Sequence, residues 1–131
     1  MHIRAADLAD LENILALDHS YLTDHVWQMS SQAGSRPTGS REVTGEYLST
    51  FRLARLPRQL QAPYPHDART LRRILHRCDY VWVTLGESAS DLMGYIGLAH
   101  VPWQNTGWIP CMAVAPAARR RGIASQLLKT A

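Results

Sequence analysis

The feature that most constrains this chain is a short basic turn that joins an apolar run to an amphipathic helix near residue 120. The apolar run ends at Pro116, arginines occupy 119–121, Gly122 follows, and the helical pattern begins at Ile123. Because the first amides of a helix have no carbonyl four residues earlier to bond, several N–H groups at 120–124 are free to point at one anion. The helix dipole adds about half a positive charge at the same place. The turn therefore predicts a cradle for an anion such as a phosphate.

The side chains of the turn support the same prediction. Gly122 removes the β-carbon that would keep a phosphate away from the backbone, and the arginines at 119–121 offer paired donors. The alternative interpretation is a solvated, arginine-rich helix start without a ligand. A nucleic-acid signal is a weaker interpretation, because three arginines fall short of the usual cluster of about five to eight.

Overall charge also argues against a nucleic-acid partner. Fourteen Lys plus Arg against eleven Asp plus Glu give a net charge of +3. These bases are divided among 52–58, 69–77 and 119–121 and do not form one concentrated stripe. We therefore expect a small-molecule anion in the cradle.

The turn resembles a known signature. Arg119-x-x-Gly122-x-Ala124 matches the (Gln/Arg)-x-x-Gly-x-(Gly/Ala) motif of the GNAT superfamily of acyl-CoA-dependent N-acetyltransferases, and residues 112–116 resemble its fourth strand and the exit from that strand. In that family the loop amides hold the coenzyme A pyrophosphate, and backbone groups near the strand end pair with the pantetheine arm. The resemblance thus implies acetyl-CoA or coenzyme A as co-substrate. The implied pantetheine contacts are Met112, Ala113 and Val114, and the implied pyrophosphate contacts are Arg119, Arg120, Arg121, Gly122, Ile123, Ala124 and Ser125.

Hydrophobic periodicity predicts the other elements. Strands are predicted at 1–5, 44–56, 79–85, 92–100 and 107–114, and helices at 7–17, at 68–77 after an Asp67 cap, and from 123. The segment 19–29 reads as a second helix and 30–40 as a flexible loop. The order agrees with a mixed α/β (α+β) fold of the GNAT type, in which a mainly antiparallel twisted sheet is flanked by helices.

We expect residues 1–131 to form one domain that corresponds to the N-terminal three quarters of the family fold, truncated after the coenzyme-binding helix. The strand at 107–114 would then have a free side, for which a second copy of the chain is a possible cover. Pro110 lies within this strand, where a proline belongs at an edge or a bulge, and the family has a bulge there.

The expected reaction is transfer of an acetyl group from acetyl-CoA to a primary amine by direct attack in a ternary complex. Such a transfer needs a neutral amine, and relatives often supply a Glu on the strand before the cradle, yet residues 107–114 carry no carboxylate. His100, at a strand end, is the candidate base, and Tyr95, Cys111 and Glu46 are weaker candidates. The alternative function is a non-catalytic or incomplete GNAT-like module that binds coenzyme A or a partner chain.

Metal and membrane roles are not expected. Cys78 and Cys111 are 33 residues apart without CxxC spacing or nearby His pairs, which argues against a metal site. The N-terminus has no apolar signal core, and no run of about eighteen apolar residues occurs. We therefore expect a cytoplasmic protein whose partner is a small-molecule or peptide amine.

Overall fold

The computed structural model describes residues 2–33, 47–88 and 91–131. They divide into two compact units, one of Met1–Tyr21 with Pro63–Ala131 and one of Leu22–Ala62. The strands are β1 (His2–Ala5), β2 (Tyr21–Ala33), β3 (Tyr47–Ala62), β4 (Tyr80–Leu85), β5 (Leu92–Val101) and β6 (Thr106–Val114), and the helices are α1 (Asp10–Ala16), α2 (Ala68–Leu75) and α3 (Ile123–Thr130). One domain over 1–131 stays a prediction.

The first unit is built on a four-stranded antiparallel sheet in the order β1-β4-β5-β6. Strands β4, β5 and β6 follow one another in the sequence and are neighbours in the sheet, so the predicted meander is confirmed. Ile96 of β5 lies opposite Trp82 of β4 on one side and Met112 of β6 on the other. In the part of the chain that the structure describes, no strand pairs with the outer side of β6.

Helices cover both faces of this sheet. One buried cluster packs α1 and α2 against one face; it contains Ile14, Leu71, Leu75, Val83, Leu85, Leu92, Tyr95 and Cys111. The other packs α3 against the opposite face; it contains Met93, Ile96, Ala118, Ile123 and Leu127. The strands contribute to both clusters because successive side chains point to opposite faces. The start of α3 is thereby held rigidly beside the end of β6.

The helix starts follow from local chemistry. The Asp67 carboxylate accepts a hydrogen bond from the Thr70 amide at 2.7 Å, which confirms the predicted cap of α2. In the turn before α1, the Asp7 carboxylate accepts from the amides of Ala9 and Asp10, at 2.8 and 3.2 Å. None of the helices among the described residues is long and apolar enough to cross a membrane.

An ion pair fixes the first helix to the first strand. The buried Asp10 carboxylate accepts from Arg4 Nη1 at 2.6 Å and Nη2 at 2.9 Å, and from the Asp7 amide at 2.8 Å. Burial by itself would raise the pKa of Asp10, but the hydrogen bonds from Arg4 and Asp7 outweigh it and hold the pKa below its usual value.

The second unit corrects two predictions. Residues 21–33 form strand β2, so the predicted helix over 19–29 is wrong, and the loop predicted at 30–40 does not begin at Ser30. The rest of that loop, 34–40, lies outside the described residues. The strand predicted at 44–56 is confirmed from 47 onward and continues to Ala62 as β3. The two strands form a two-stranded sheet.

Side-chain pairs explain why this segment is extended. Ser31 Oγ lies 3.2 Å from Ser49 Oγ, and Arg52 donates to Gln28 Oε1 at 3.0 Å. These cross-strand contacts are non-local, so the helix-like spacing of apolar residues at 19–29 did not reveal them.

Candidate functional site

The turn before α3 has an unusual backbone. Arg120 and Gly122 both have positive φ, at 62° and 78°, whereas Arg119 is extended with φ −66° and ψ 158°. Concave anion-binding nests of backbone amides also contain left-handed residues, so this backbone is compatible with the predicted cradle. A β-carbon added at Gly122 would meet no atom within 4 Å, so the space in front of this residue is open.

The backbone amides at 120–125 in and after this turn have no hydrogen-bond acceptor among the described residues. The Ala118 amide donates to the Ala115 carbonyl at 2.8 Å, and the Arg119 amide to the Pro116 carbonyl at 3.3 Å. The next amide with an acceptor among the described residues belongs to Gln126, which donates to the Gly122 carbonyl at 3.0 Å. Between them, no described residue accepts from the amides of Arg120, Arg121, Gly122, Ile123, Ala124 and Ser125. The structure therefore brings together the donors that the sequence placed in the cradle.

Side-chain burial divides these residues by role. Ile123 is buried in the core beneath the turn, whereas the side chains of Arg120, Arg121 and Ser125 are exposed. Ile123 therefore anchors α3, and the two arginines that precede Gly122 are open to solvent.

The guanidinium of Arg119 has a different role from its neighbours. Its Nε donates to the Val114 carbonyl at 2.9 Å, and its Nη2 donates to the Ser20 carbonyl at 2.6 Å. Arg119 thus fastens the last residue of β6 to the segment that follows α1. The sequence suggested only a phosphate contact for this side chain, which stays a prediction.

Strand β6 carries the predicted bulge. Cys111 lies opposite Gly97, but Trp108 lies opposite Ala99, so β6 has one more residue than β5 between these pairs. The extra residue falls at Ile109 or Pro110, which confirms the irregularity expected from the proline. Beyond the bulge, residues 112–114 pair regularly with β5 on their inner side.

The structure places His100 away from the cradle. His100 lies opposite Gly107, and Val114 lies opposite Gly94, so six residues of β5 separate the two levels. At about 3.3 Å per residue this is roughly 20 Å, and the level of Met112 is still about 13 Å from His100. The side chain is exposed, and its backbone amide donates to Asp79 Oδ2 at 2.7 Å. This geometry argues against His100 as the base for an amine that reacts beside Met112.

A cluster of aromatic side chains lies beside β6 on the face covered by α1 and α2. His19 Nε2 is 3.0 Å from the Tyr95 hydroxyl, and the His19 and Tyr64 rings are 4.6 Å apart. Tyr95 is fully buried and lies opposite Ala113, whereas His19 and Tyr64 are half-buried. The sequence pattern indicated Tyr95 only as a weak candidate and gave no sign of His19 or Tyr64. No local signal could have joined residues so far apart in the chain.

The two cysteines also meet next to this cluster. A β-carbon on Gly97 would lie 2.7 Å from Cys78 Sγ and 2.8 Å from Cys111 Sγ, so both sulfurs occupy the space that this glycine leaves. Both thiols are free. Burial, together with a smaller effect of the nearby Cys78, raises the pKa of Cys111 to about 12. Cys111 is therefore protonated at neutral pH, which argues against a role as nucleophile.

Comparison with known proteins decides the family. Residues 45–131 match the sequence model of the acetyltransferase (GNAT) family. The chain belongs to the GNAT acetyltransferase family. The resemblance seen at Arg119-x-x-Gly122-x-Ala124 is thus confirmed, and the predicted mixed α+β fold with it. No curated protein sequence matches the chain.

Two solved GNAT-type structures share the fold. The crystal structure of nourseothricin acetyltransferase superposes with a TM-score of 0.73 at 23% identity, covering 98% of this chain and 62% of the other. A protein assigned as a streptothricin acetyltransferase in Bacillus anthracis str. Ames, solved in complex with acetyl coenzyme A, gives 0.64 at 17% identity, covering 98% and 64%. At these identities the similarity shows the fold alone. The chain spans less than two thirds of the length of either protein.

Proposed function

We propose that this chain is an acyl-CoA-dependent N-acyltransferase that moves the acetyl group of acetyl-CoA to a primary amine by direct attack in a ternary complex. The observation that carries the proposal is the row of six amides at residues 120–125, which lack acceptors among the described residues and lead into α3 beside open space. Membership of the GNAT family supports it. So does the acetyl coenzyme A held by the relative from Bacillus anthracis str. Ames.

The residues present suit a diphosphate. The amides at 120–125 would donate to its oxygens, and the guanidinium groups of Arg120 and Arg121 would pair with its charge. Gly122 allows the closest approach, since the position of its missing β-carbon is open. Arg119 would hold the turn in place through its bonds to the Val114 and Ser20 carbonyls.

The free edge of β6 suits the pantetheine arm. Met112, Ala113 and Val114 pair with β5 on one side, and their outer side has no strand beside it in the described chain. Amide-bearing groups of the arm would extend the sheet there as an extra strand does. An outward backbone amide at this level would also stabilise the oxyanion that forms when the amine attacks the thioester carbonyl.

The reaction needs two proton movements. The coenzyme supplies an activated acetyl group as a thioester. The neutral amine attacks its carbonyl carbon, the carbon–sulfur bond breaks, the amine nitrogen loses a proton and the departing thiolate gains one. A base near residues 111–113 is therefore required.

A non-catalytic coenzyme-binding module is the second candidate. The observation in its favour is that residues 106–114 of β6 carry no carboxylate, while His100 lies far along the sheet. Such a module would bind coenzyme A without turnover.

Calorimetry with coenzyme A and with acetyl-CoA tests the binding step. We expect heat from the wild type and none from Gly122→Glu, because the new carboxylate opposes a diphosphate in both size and charge. Gly107→Glu is the matched control, since it adds the same charge at the other end of β6, where a β-carbon meets only Leu98 Cδ1 at 3.3 Å. A wild type that binds neither ligand removes both candidate functions that use the cradle.

A thiol-release assay with a panel of primary amines separates the two candidates. Release of coenzyme A that depends on the amine supports the transferase. Binding without release at any amine concentration supports the module.

The same edge of β6 is also where we propose that a second copy of the chain would pair. Strand pairing and the coenzyme arm would then compete for the same backbone groups. Sedimentation should show a dimer that coenzyme A dissociates, and a monomer at all concentrations would remove this proposal.

A further inference from the structure

The motif residue Arg119 does more than shape the cradle, because it also fixes the position of His19. Its Nη2 donates to the carbonyl of Ser20, the residue that follows His19, while its Nε holds the end of β6. One guanidinium thus fastens the His19 segment to the strand that carries the predicted thioester contacts. An exposed surface histidine would not need such a support.

His19 belongs to a chain of hydrogen bonds. The Tyr95 hydroxyl lies 3.0 Å from His19 Nε2. The Tyr64 and Tyr95 side chains are close enough to shift each other's pKa. The Leu17 carbonyl lies close enough to the His19 ring to favour its protonated form. In the tautomer that carries its proton on Nδ1, Nε2 accepts the Tyr95 proton. A relay in this tautomer runs from Tyr64 to Tyr95 to His19 once the two hydroxyl groups rotate.

The cluster lies at the correct level of the sheet. Tyr95 is opposite Ala113, between the residues predicted to contact the pantetheine arm. Cys111 of the same strand is close enough to both tyrosines to raise their pKa values. The cluster occupies the face of the sheet opposite α3, so an amine on that face and a coenzyme held at the start of α3 would meet at the edge of β6.

Solvent accessibility shows which side chain of this cluster is able to meet a substrate. Tyr95 is fully buried and does not reach a substrate, whereas Tyr64 is half-buried and presents one side to the surface. His19 Nε2 faces the buried Tyr95 hydroxyl, so the ring takes up a proton through this tyrosine.

We propose that His19 is the proton acceptor of the acetyl transfer, acting through Tyr95 and Tyr64, and that the acceptor amine binds against Tyr64. This inference rests on the proposed transferase function. The amine proton passes to the Tyr64 oxygen, the Tyr64 hydroxyl proton passes to the Tyr95 oxygen, and the Tyr95 hydroxyl proton passes to His19 Nε2. The imidazolium that results carries a proton on each ring nitrogen. Its proton is later released to solvent or to the coenzyme thiolate, which restores the neutral ring.

Burial keeps His19 neutral at pH 7. Burial lowers its pKa below the usual 6.5, and Arg119 lowers it further, while the Leu17 carbonyl and Asp18 act in the opposite direction. The remaining titratable neighbours, Tyr64 and Tyr95, are protonated at this pH, because burial raises the pKa of each. The neutral ring is the form that accepts a proton.

The test combines turnover with coenzyme binding. His19→Gln keeps hydrogen-bonding groups next to Tyr95 but has no basic nitrogen, and we expect kcat to fall by about 10²- to 10⁴-fold. Coenzyme binding by calorimetry should be unchanged. His76→Gln, on the exposed end of α2, is the matched control and should retain wild-type kcat.

Tyr95→Phe provides a second, independent variant, since it removes only the hydroxyl that joins the two ends. We expect the same loss as in His19→Gln, and no further loss in the double variant, because both break one relay. In the wild type, kcat should fall below pH 6.5 as His19 becomes protonated. This acidic limb of the pH profile should disappear in His19→Gln, while any limb due to the amine itself remains. Melting temperatures of the variants show whether they are folded.

Each outcome decides the proposal. A kcat within threefold of wild type in either variant overturns it, as does a loss of coenzyme binding that parallels the loss of turnover, since that marks a structural role. Additive losses in the double variant also overturn the relay. If the wild type binds coenzyme A but transfers to no amine, the His19 proposal falls and the binding proposal stands; if it binds no coenzyme, both fall.

Discussion

Replacing Gly122 by alanine separates the backbone requirement at this position from the ligand requirement. Gly122 has a φ of 78°, and an added β-carbon would meet no protein atom within 4 Å. The substitution therefore destabilises the folded state only through the strain of the left-handed conformation, which is about 1–2 kcal/mol for a residue with a β-carbon. Alanine also lowers the conformational entropy of the unfolded chain, which offsets this loss by about 0.4–1 kcal/mol. We expect a net loss near 1 kcal/mol, a fall of about 3–5 °C in Tm.

The effect on coenzyme binding should be larger, because the methyl group occupies the space through which a phosphate would approach the amides. We expect coenzyme A to bind at least about tenfold more weakly, equivalent to 1.4 kcal/mol. Calorimetry measures the loss of coenzyme affinity, and thermal unfolding of the same preparation measures the loss of folding stability.

Asn105→Ala is the matched control for this change. Asn105 has a φ of 48° in the turn between β5 and β6, at the other end of β6 from the cradle. It should lower Tm by a similar amount and leave coenzyme binding unchanged. If Gly122→Ala loses the expected stability but binds coenzyme A like the wild type, the phosphate does not approach this backbone and the reasoning is refuted. A stability loss above about 3 kcal/mol would instead mean that Gly122 faces protein atoms.

Two further predictions concern the core. Asp10→Asn should destabilise the protein at pH 7 by about 2–4 kcal/mol in urea unfolding, because Arg4 loses its buried partner. Since the folded pKa of Asp10 lies below 3.8, the wild type should lose this advantage as the pH falls through that folded value. Equal stability of the two proteins at pH 7 would contradict the ion-pair assignment. Cys78 and Cys111 should resist iodoacetamide at pH 7.5 in the folded protein and react in urea, because burial raises both pKa values; rapid labelling of Cys111 without urea would show that its burial is wrong.

The cradle was predictable because every part of it is local. A proline exit, a glycine and the first turn of a helix all lie within residues 116–125, and the donors that matter belong to the backbone. The same holds for the Asp67 cap, whose acceptor and donor are three residues apart. In both cases the physical cause of the structure is contained in the segment itself.

The second unit shows the limit of local patterns. The apolar residues of 19–29 fit a helix about as well as a strand, and the choice was made by pairing with β3, whose residues lie about twenty positions away along the chain. Cross-strand contacts of this range leave no mark on a single segment.

The sequence by itself determined the family, the antiparallel meander and the turn that leads into α3, since these depend on neighbouring residues. Only the tertiary structure shows that His100 lies far from Met112 and that His19 meets Tyr95. It also shows that Arg119 braces both the end of β6 and the His19 segment. Strand register sets how far His100 lies from Met112, and packing of α1 and α2 on the sheet brings positions 19, 64 and 95 together. Both are properties of long-range contacts, which composition and spacing do not encode.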